Sequence, residues 1–349
     1  MMPSLPSLDK NVNNSPHVVI LGAGASIASY LHSGEVGKPL PDMKNLIDVL
    51  ALRREIDHAG FQHAADFESF YNDLVTTGGN PQLQTTIENR VRDYFSVLRL
   101  PSHPTIYDYL VLSLRDKDLI ASFNWDPFLL DAYRRNMAVK KLPRIVFLHG
   151  NVRVAFCAKD KIPGLMGQKC SKCGDDLRPS RLLYPVKHKD YNSDPFIKNE
   201  WEVLRSCLNN AYFLTVFGYS APKTDVEART LMLEVWHKNP TLRLSQVEII
   251  DIRLREDLEA NWTEFFISHH YGIRGDFFKS YLMTFPRRTC DAFAEATLKL
   301  RPWHDNPFPI FETTDEMQQW IKPLLNEEEE YERTRTQFSG QPLSPNRSL

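Results

Sequence analysis

No stretch of this 349-residue chain approaches the roughly 18 consecutive apolar residues that a membrane helix needs. The nearest runs, at 18–25 and 211–219, are short enough to be buried strands, so no membrane role is expected. Charge of one sign is missing too. Lys plus Arg number 42 and Asp plus Glu 44, a formal net charge of −2, so the chain offers no global field for a polyanion and direct nucleic-acid binding is not expected. The opening residues have no basic stretch followed by an apolar region, so no secretory signal is read and a cytoplasmic setting is expected. Neither a P-loop pattern nor a Ser-His-Asp order occurs, and no repeat recurs at solenoid periods. Cysteine is scarce, at five residues, and an odd number makes a poor disulfide framework. In a reducing compartment the Cys170-x-x-Cys173 pair reads as metal binding or redox chemistry before it reads as a disulfide.

The remaining composition is that of a folded protein. Apolar residues make up 42% and charged residues 25%, which argues against wholesale disorder. Pro3, Pro6 and Pro16, with Ser and Asn between them, mark residues 1–16 as a flexible arm. From Asn326 onward the acidic run at 327–330 and the closing polar stretch lack apolar periodicity, so 326–349 reads as a disordered tail.

Between these ends, short apolar runs at 17–21, 119–123, 145–148, 212–217 and 247–252 alternate with helical patterns at 103–114, 127–137, 197–210 and 225–237. Continuously apolar runs suit parallel strands covered on both faces. Residues 31 to about 100 carry helical patterns (42–54 and 85–98) without a good strand. Residues 151 to about 195, rich in Lys, Gly, Pro and Cys, form a small irregular module. The expected fold is α/β, a Rossmann-like doubly wound parallel sheet with a helical insertion and a small Cys-containing module, in one domain spanning 17–325.

The sharpest local feature is the strand-turn-helix HVVILGAGASI. Gly22 and Gly24 would let backbone approach a pyrophosphate, whose charge is met by free N–H groups at the helix start. The third glycine of the dinucleotide fingerprint falls at Ile27 and is missing. Asp42, at about the spacing of the usual ribose acid, reads better as a helix cap, and the plainer alternative is a turn with no ligand. Two further apolar strands end in polar residues, one in SFNWD and one in FLHG. Asn124 and Asp126 are two apart and would share a crevice, whereas the plain alternative for Asp126 is a cap on the helix after Pro127. His149 is either a site residue or a hydrogen-bonded turn histidine. A fourth strand end, Phe217-Gly-Tyr-Ser220, presents Gly and Ser at the same edge.

Taken in order, GAGAS, SFNWD, LHG, a cysteine module and FGYS resemble the core of the sirtuin family over about 17–255, with the insertion as a departure. The resemblance implies that Gly22, Ala23, Gly24 and Ser26 hold the pyrophosphate and adjoining ribose of NAD. It places Asn124 and Asp126 in the nicotinamide pocket, makes His149 the general base and sets Gly218 with Ser220 along the adenosine side. Sirtuins carry two Cys-x-x-Cys pairs around a structural zinc. Here the second pair is intact, while the first reads Cys157-Ala-Lys-Asp160. Cys157, Cys170 and Cys173 would therefore be joined by Asp160, or by His188 downstream, or the module would be empty.

Asn-Trp-Asp, the large insertion and Gly-Tyr-Ser look more like the sirtuin-like NAD hydrolases of bacterial antiphage defence. That resemblance implies cleavage of NAD to nicotinamide and ADP-ribose, a homo-oligomer, and an activating partner such as a hexameric ATPase or a short Argonaute-type protein. An NAD-dependent protein deacylase and a non-enzymatic NAD or ADP-ribose sensor are the competing readings. Plain readings fall to the rest: His269 and His270 as surface or capping residues, Cys207 and Cys290 as packed thiols. Arg53-Arg54, Lys140-Lys141 and Arg287-Arg288 read as solvated faces.

Overall fold

A computed structural model describes residues 14–31, 40–61, 64, 66–78, 80–186, 189–221 and 225–334. Residues 1–13 of the expected arm, the end of the expected tail at 335–349 and the alternative ligand His188 lie outside the described residues. Residues 15–16 of that arm are not flexible but packed, Ser15 being buried and Pro16 O accepting the Tyr212 N–H at 3.0 Å.

Six strands form the main sheet: β1 (His17–Leu21), β2 (Leu119–Ser122), β3 (Arg144–Phe147), β7 (Phe213–Phe217), β8 (Gln246–Ile250) and β9 (Tyr271–Arg274). A second sheet holds β4 (Val154–Cys157), β5 (Ile162–Leu165) and β6 (Arg178–Pro179). The large sheet runs β3-β2-β1-β7-β8-β9, and every neighbouring pair in it is parallel. Renumbered by order of appearance this is 3-2-1-4-5-6, the strand order of the Rossmann fold, whose chain reverses its winding between the first and fourth strands. The sheet is therefore the expected doubly wound one. All residues of β1, β2 and β7 are buried, and since successive side chains alternate faces, both faces are covered. Strand β9 was not legible as a strand: Tyr271-Gly-Ile-Arg274 is a four-residue, partly exposed edge with a glycine inside it.

After β1 come α1 (Ala23–Leu31), then α2 (Leu46–Val49), α3 (Arg53–His58), α4 (Phe67–Thr76) and α5 (Pro81–Ser96), the helical insertion. Asp66 accepts the Ser69 N–H at the head of α4, and Asn80 accepts from Gln82 and Leu83 ahead of Pro81 in α5, so each starts on a recognisable cap. The expected helix at 42–54 starts late, because Asp42 closes a turn with Lys44 and Asn45, and it divides into α2 and α3 at Ala51, whose φ of +50° is not helical. The expected start at 103–104 moves to Thr105, which shares a capping box with Asp108, giving α6 (Ile106–Leu112). There follow α7 (Phe128–Arg135), α8 (Pro195–Leu208), α9 (Val226–Trp236), α10 (Arg255–Trp262), α11 (Tyr281–Thr284), α12 (Thr289–Leu298) and α13 (Thr314–Thr334).

Helix α13 corrects two expectations. Residues 326–334 are not a disordered tail but its last turns. Arg287 and Arg288 are not a solvated face, being 2% and 4% exposed and both paired with Glu328 on this helix. A buried guanidinium needs a counter-charge, and the acidic run supplies it. Among the described residues no helix is long and apolar enough to cross a membrane.

Candidate active site

The ends of β1 and β7 meet at three interlocked glycines. Gly22 N–H donates to Phe217 O at 3.0 Å and Gly24 N–H to Gly218 O at 2.9 Å. A Cβ on Gly22 would lie 2.5 Å from Gly218 O, and one on Gly24 2.8 Å from Gly218 Cα. Gly218 itself sits at φ +61°, where a side chain would strike Ala25 N at 2.2 Å. The glycines are thus required by this crossing of two chain segments, in addition to any phosphate. Ala23 opens α1, whose first turn carries no acid to offset the positive end of its dipole.

Behind this turn lies a buried network. Asn124 Nδ2 is 2.8 Å from Gly22 O, 2.8 Å from Ser26 Oγ and 3.3 Å from the Tyr107 hydroxyl. A carbonyl only accepts, so the group facing Gly22 O is the amide NH₂, and Oδ1 is the atom left over. Ser26 Oγ donates its single proton to Asp126 Oδ2 at 2.7 Å. It therefore accepts from both Asn124 and Tyr107, whose oxygen lies 2.7 Å away. Asp126 Oδ1 takes the Phe128 N–H at 3.1 Å. Asp126 thus serves the helix start, as the capping alternative has it, while its other oxygen is held by Ser26. Ser26, expected at the pyrophosphate, is fully buried and engaged inside the protein: it positions Asn124 and Asp126. Burial raises the Asp126 carboxyl to about 6, against the pull of the Ser26 and Phe128 hydrogen bonds.

His149 lies two residues past β3 and is 7% exposed. Its ring meets Phe123 edge-on at 4.7 Å, and Nε2 stands 3.3 Å from the Tyr191 hydroxyl. Burial lowers its pKa to about 4, with Asp225 acting upward and Lys189 downward. At neutral pH it is an uncharged imidazole, able to accept a proton.

These groups share one cavity of about 970 Å³, which lies outside the carboxyl ends of the strands at the point where the winding reverses, where open α/β sheets take their ligands. Gly22, Ala23, Gly24, Ser26, Asn124, Asp126, His149, Gly218 and Ser220 all line it. So do Tyr219, read in the sequence only as part of the Gly-Tyr-Ser motif, and three residues that the sequence alone did not single out, Lys189, Asp225 and Asp251. Reading the last strand through residue 252 hid Asp251, which directly follows β8 and is gripped by Arg253 at 2.9 and 3.1 Å. Lys189 and Asp225 come from two different segments and form a buried ion pair that no local pattern announces. The insertion adds Asp42, Lys44, Asp66 and Asp73 to the far wall.

The cysteine module is a separate site. Side-chain atoms of Cys157, Asp160, Cys170 and Cys173 all lie within 4.8 Å of one another. Sγ of Cys157 and Cys173 are 3.7 Å apart, and Asp160 Oδ2 is 3.6 Å from Cys157 and 3.4 Å from Cys170. A tetrahedron with Zn–S bonds near 2.3 Å has edges of about 3.8 Å, so three thiols and a carboxylate at these separations fit zinc. Lys172 pairs with the other Asp160 oxygen at 3.3 Å, which turns Oδ2 toward the sulfurs.

No protein-family model matches the chain, and no curated protein matches it. Solved structures that resemble it include a Sir2 homologue in complex with NAD, 16% identical, covering 91% of this chain and 94% of that one with a TM-score of 0.41. Another is Sir2 bound to an inhibitor, 2′-O-acetyl-ADP-ribose and a deacetylated peptide, 15% identical, covering 84% and 96% with a TM-score of 0.37. A third concerns the structural basis of sirtuin substrate affinity, at 16% identity, 77% and 92% coverage and a TM-score of 0.36.

Proposed function

We propose that this chain is an NAD glycohydrolase: water adds to the ribosyl C1′ of NAD, the bond to nicotinamide breaks, and nicotinamide, ADP-ribose and a proton leave. The observation that carries the reading is the convergence of Asn124, Asp126 and His149 on one cavity closed by the Gly22–Gly24 turn. Nicotinamide departs as a neutral base, so the bond needs no strong acid. The site has to stabilise an oxocarbenium-like sugar and deliver water. Asn124, with its NH₂ fixed inside the protein, turns its remaining acceptor to orient water or a ribose hydroxyl. Asp126 lies on the carboxamide side, and neutral His149 takes the proton. The pyrophosphate lies against Gly22, Ala23 and Gly24 at the positive end of the α1 dipole, the Gly22 and Gly24 N–H groups being already given to Phe217 and Gly218, and Gly218 with Ser220 line the adenosine side.

Residues of the insertion line the cavity, and hydrolysis, unlike transfer to an acyl-lysine, needs no room there for a peptide beside NAD. The sequence resemblance to NAD hydrolases of antiphage defence supports a role in NAD depletion, with self-assembly and an activating partner of the ATPase or Argonaute type.

Incubating the purified chain with NAD, with and without an acetylated peptide, tests the reading. ADP-ribose released without peptide is the expected result, and strict dependence on peptide would overturn it. Asn124→Ala and His149→Ala should each lower the rate by about 100- to 10,000-fold while leaving the fold and most of the NAD binding. Full activity in His149→Ala would return that residue to a turn histidine.

A further inference from the structure

Asp225 occupies the residue before α9, where an aspartate ordinarily caps its own helix. It does not: no side-chain bond joins it to the α9 N–H groups. Its carboxylate instead pairs with the Lys189 ammonium and accepts the Tyr219 hydroxyl at 3.0 Å. Both ends of the ion pair are buried, with side chains 2% and 6% exposed. A buried ion pair is weak as a stabilising device, since apolar residues of similar shape serve as well. Its place in the cavity wall calls for another reason.

Two structural routes lead from this pair to His149. Tyr219 stacks on Phe123 at 4.3 Å and 8°, and the edge of Phe123 meets the His149 ring. The second route runs through the segment Lys189–Tyr191. Glu227 in the first turn of α9 accepts the Lys189 backbone N–H at 2.8 Å and Asp225 holds its ammonium. Two residues on, Tyr191 reaches His149 Nε2. The charged and titratable groups facing His149 are therefore Tyr191 and Lys189 from that segment, Tyr219 after β7 and Asp225 from the α9 start.

We propose that Asp225, kept ionised by Lys189 and Tyr219, is a positioning residue for His149: it anchors the segment that delivers Tyr191 and supplies the counter-charge for the imidazolium that forms when His149 takes a proton. The catalytic consequence rests on the NAD-cleavage reading, whereas the electrostatic link between the two residues does not. The direction of that link agrees with it, Asp225 acting on His149 to favour the cation and Lys189 against it.

Asp225→Asn keeps shape and removes charge. In the active protein its kcat for NAD should fall about 10- to 100-fold with KM nearly unchanged, less than the loss on removing the base itself, and Asp225→Glu should recover much of it. A substrate-free reading separates this inference from the function: the His149 imidazole, followed by NMR in isotopically labelled full-length protein. Lys189→Met should raise its midpoint, and Lys189→Met with Asp225→Asn should bring it back down. Should Asp225→Asn fail to fold, Tyr219→Phe loosens the same carboxylate without changing charge and should lower kcat in the same sense. An His149 midpoint indifferent to both Lys189→Met and the double variant overturns the proposal whether or not NAD is cleaved. A movement of that midpoint with no NAD cleavage overturns only the glycohydrolase reading.

Discussion

Ser26 has one proton to give, and its recipient is Asp126; the arrangement of Asn124 and Tyr107 around Ser26 therefore assumes a carboxylate at 126. Burial holds that carboxyl near 6, so the arrangement is complete above about pH 6 and is lost as Asp126 takes a proton below it. NAD cleavage is expected to fall with an acid limb centred near pH 6. His149 stays neutral down to about 4 and cannot be its source. Asp126→Asn, which imitates the protonated form, should be slow at every pH and show no such limb. Stability runs the other way. A carboxyl whose folded pKa is raised costs stability as pH rises from its unfolded value of 3.8 through 6, roughly 2–3 kcal/mol at neutral pH. Asp126→Asn should thus unfold no more easily than the parent at pH 7, and a marked fall in its denaturation midpoint would sink this account. Asn124, Asp126 and His149 could be picked out as candidates because each follows the end of an apolar strand within two to four residues, a local pattern. Tyr107, Lys189 and Asp225 were not, since their meaning depends on partners brought by the fold: Tyr107 reaches Ser26 from 81 residues away, and Lys189 reaches Asp225 from 36.

Strands were legible to within two residues, and helices to within three, wherever burial was uniform. They failed where a polar element is held by distant charge. The acidic end of α13 has no apolar stripe to announce it, and the Arg287-Arg288 pair reads equally well as surface. Each makes sense only with the other: Glu328 accepts from Arg287 at 2.7 Å through both oxygens and from Arg288 at 2.6 Å. These guanidinium groups hold the Glu328 carboxyl down at about 2 despite its burial. Glu328→Gln leaves two buried cations short of a counter-charge and should destabilise the protein at pH 7 by about 3–5 kcal/mol. A depressed folded pKa makes this contribution complete above 4.5, and it is lost as pH falls toward 2. The difference between the parent and Glu328→Gln, measured by denaturant unfolding, should therefore shrink between pH 5 and pH 3. Removing residues 326–349 should cost at least as much as the point substitution. A truncated chain as stable as the parent would restore the disordered tail.

At the scale of the whole molecule, the cysteine module has a base at which Leu183 bonds His149 and Ser180 bonds Val154, and His149 and Leu183 of that base also line the cavity. Its own core is four buried residues, Ala155, Cys157, Cys170 and Leu177, far too few to order it by apolar burial alone. Metal ligation would add order to what the β4–β5–β6 ladder supplies, and the donor separations fit zinc, so elemental analysis of the purified chain should find about one zinc per molecule. The base does not depend on it. Leu183 N–H bonds His149 O at 3.0 Å, Ser180 N–H bonds Val154 O at 2.9 Å, and Ser180 Oγ and the Asn151 backbone exchange bonds of 2.8 and 3.1 Å. Gly150 sits so close to Arg181 O that a Cβ would lie 2.0 Å from it. With the base closed in this way, losing the metal should melt the module outward from the stem and leave His149 in place. The pair Cys170→Ser and Cys173→Ser should abolish zinc content and open the 158–175 region to limited proteolysis, while calorimetric NAD binding stays within about threefold of the parent, or less than 1 kcal/mol. Loss of NAD binding along with the zinc would mean that the module and the cavity are one cooperative unit, and zinc found in the double variant would move the metal elsewhere.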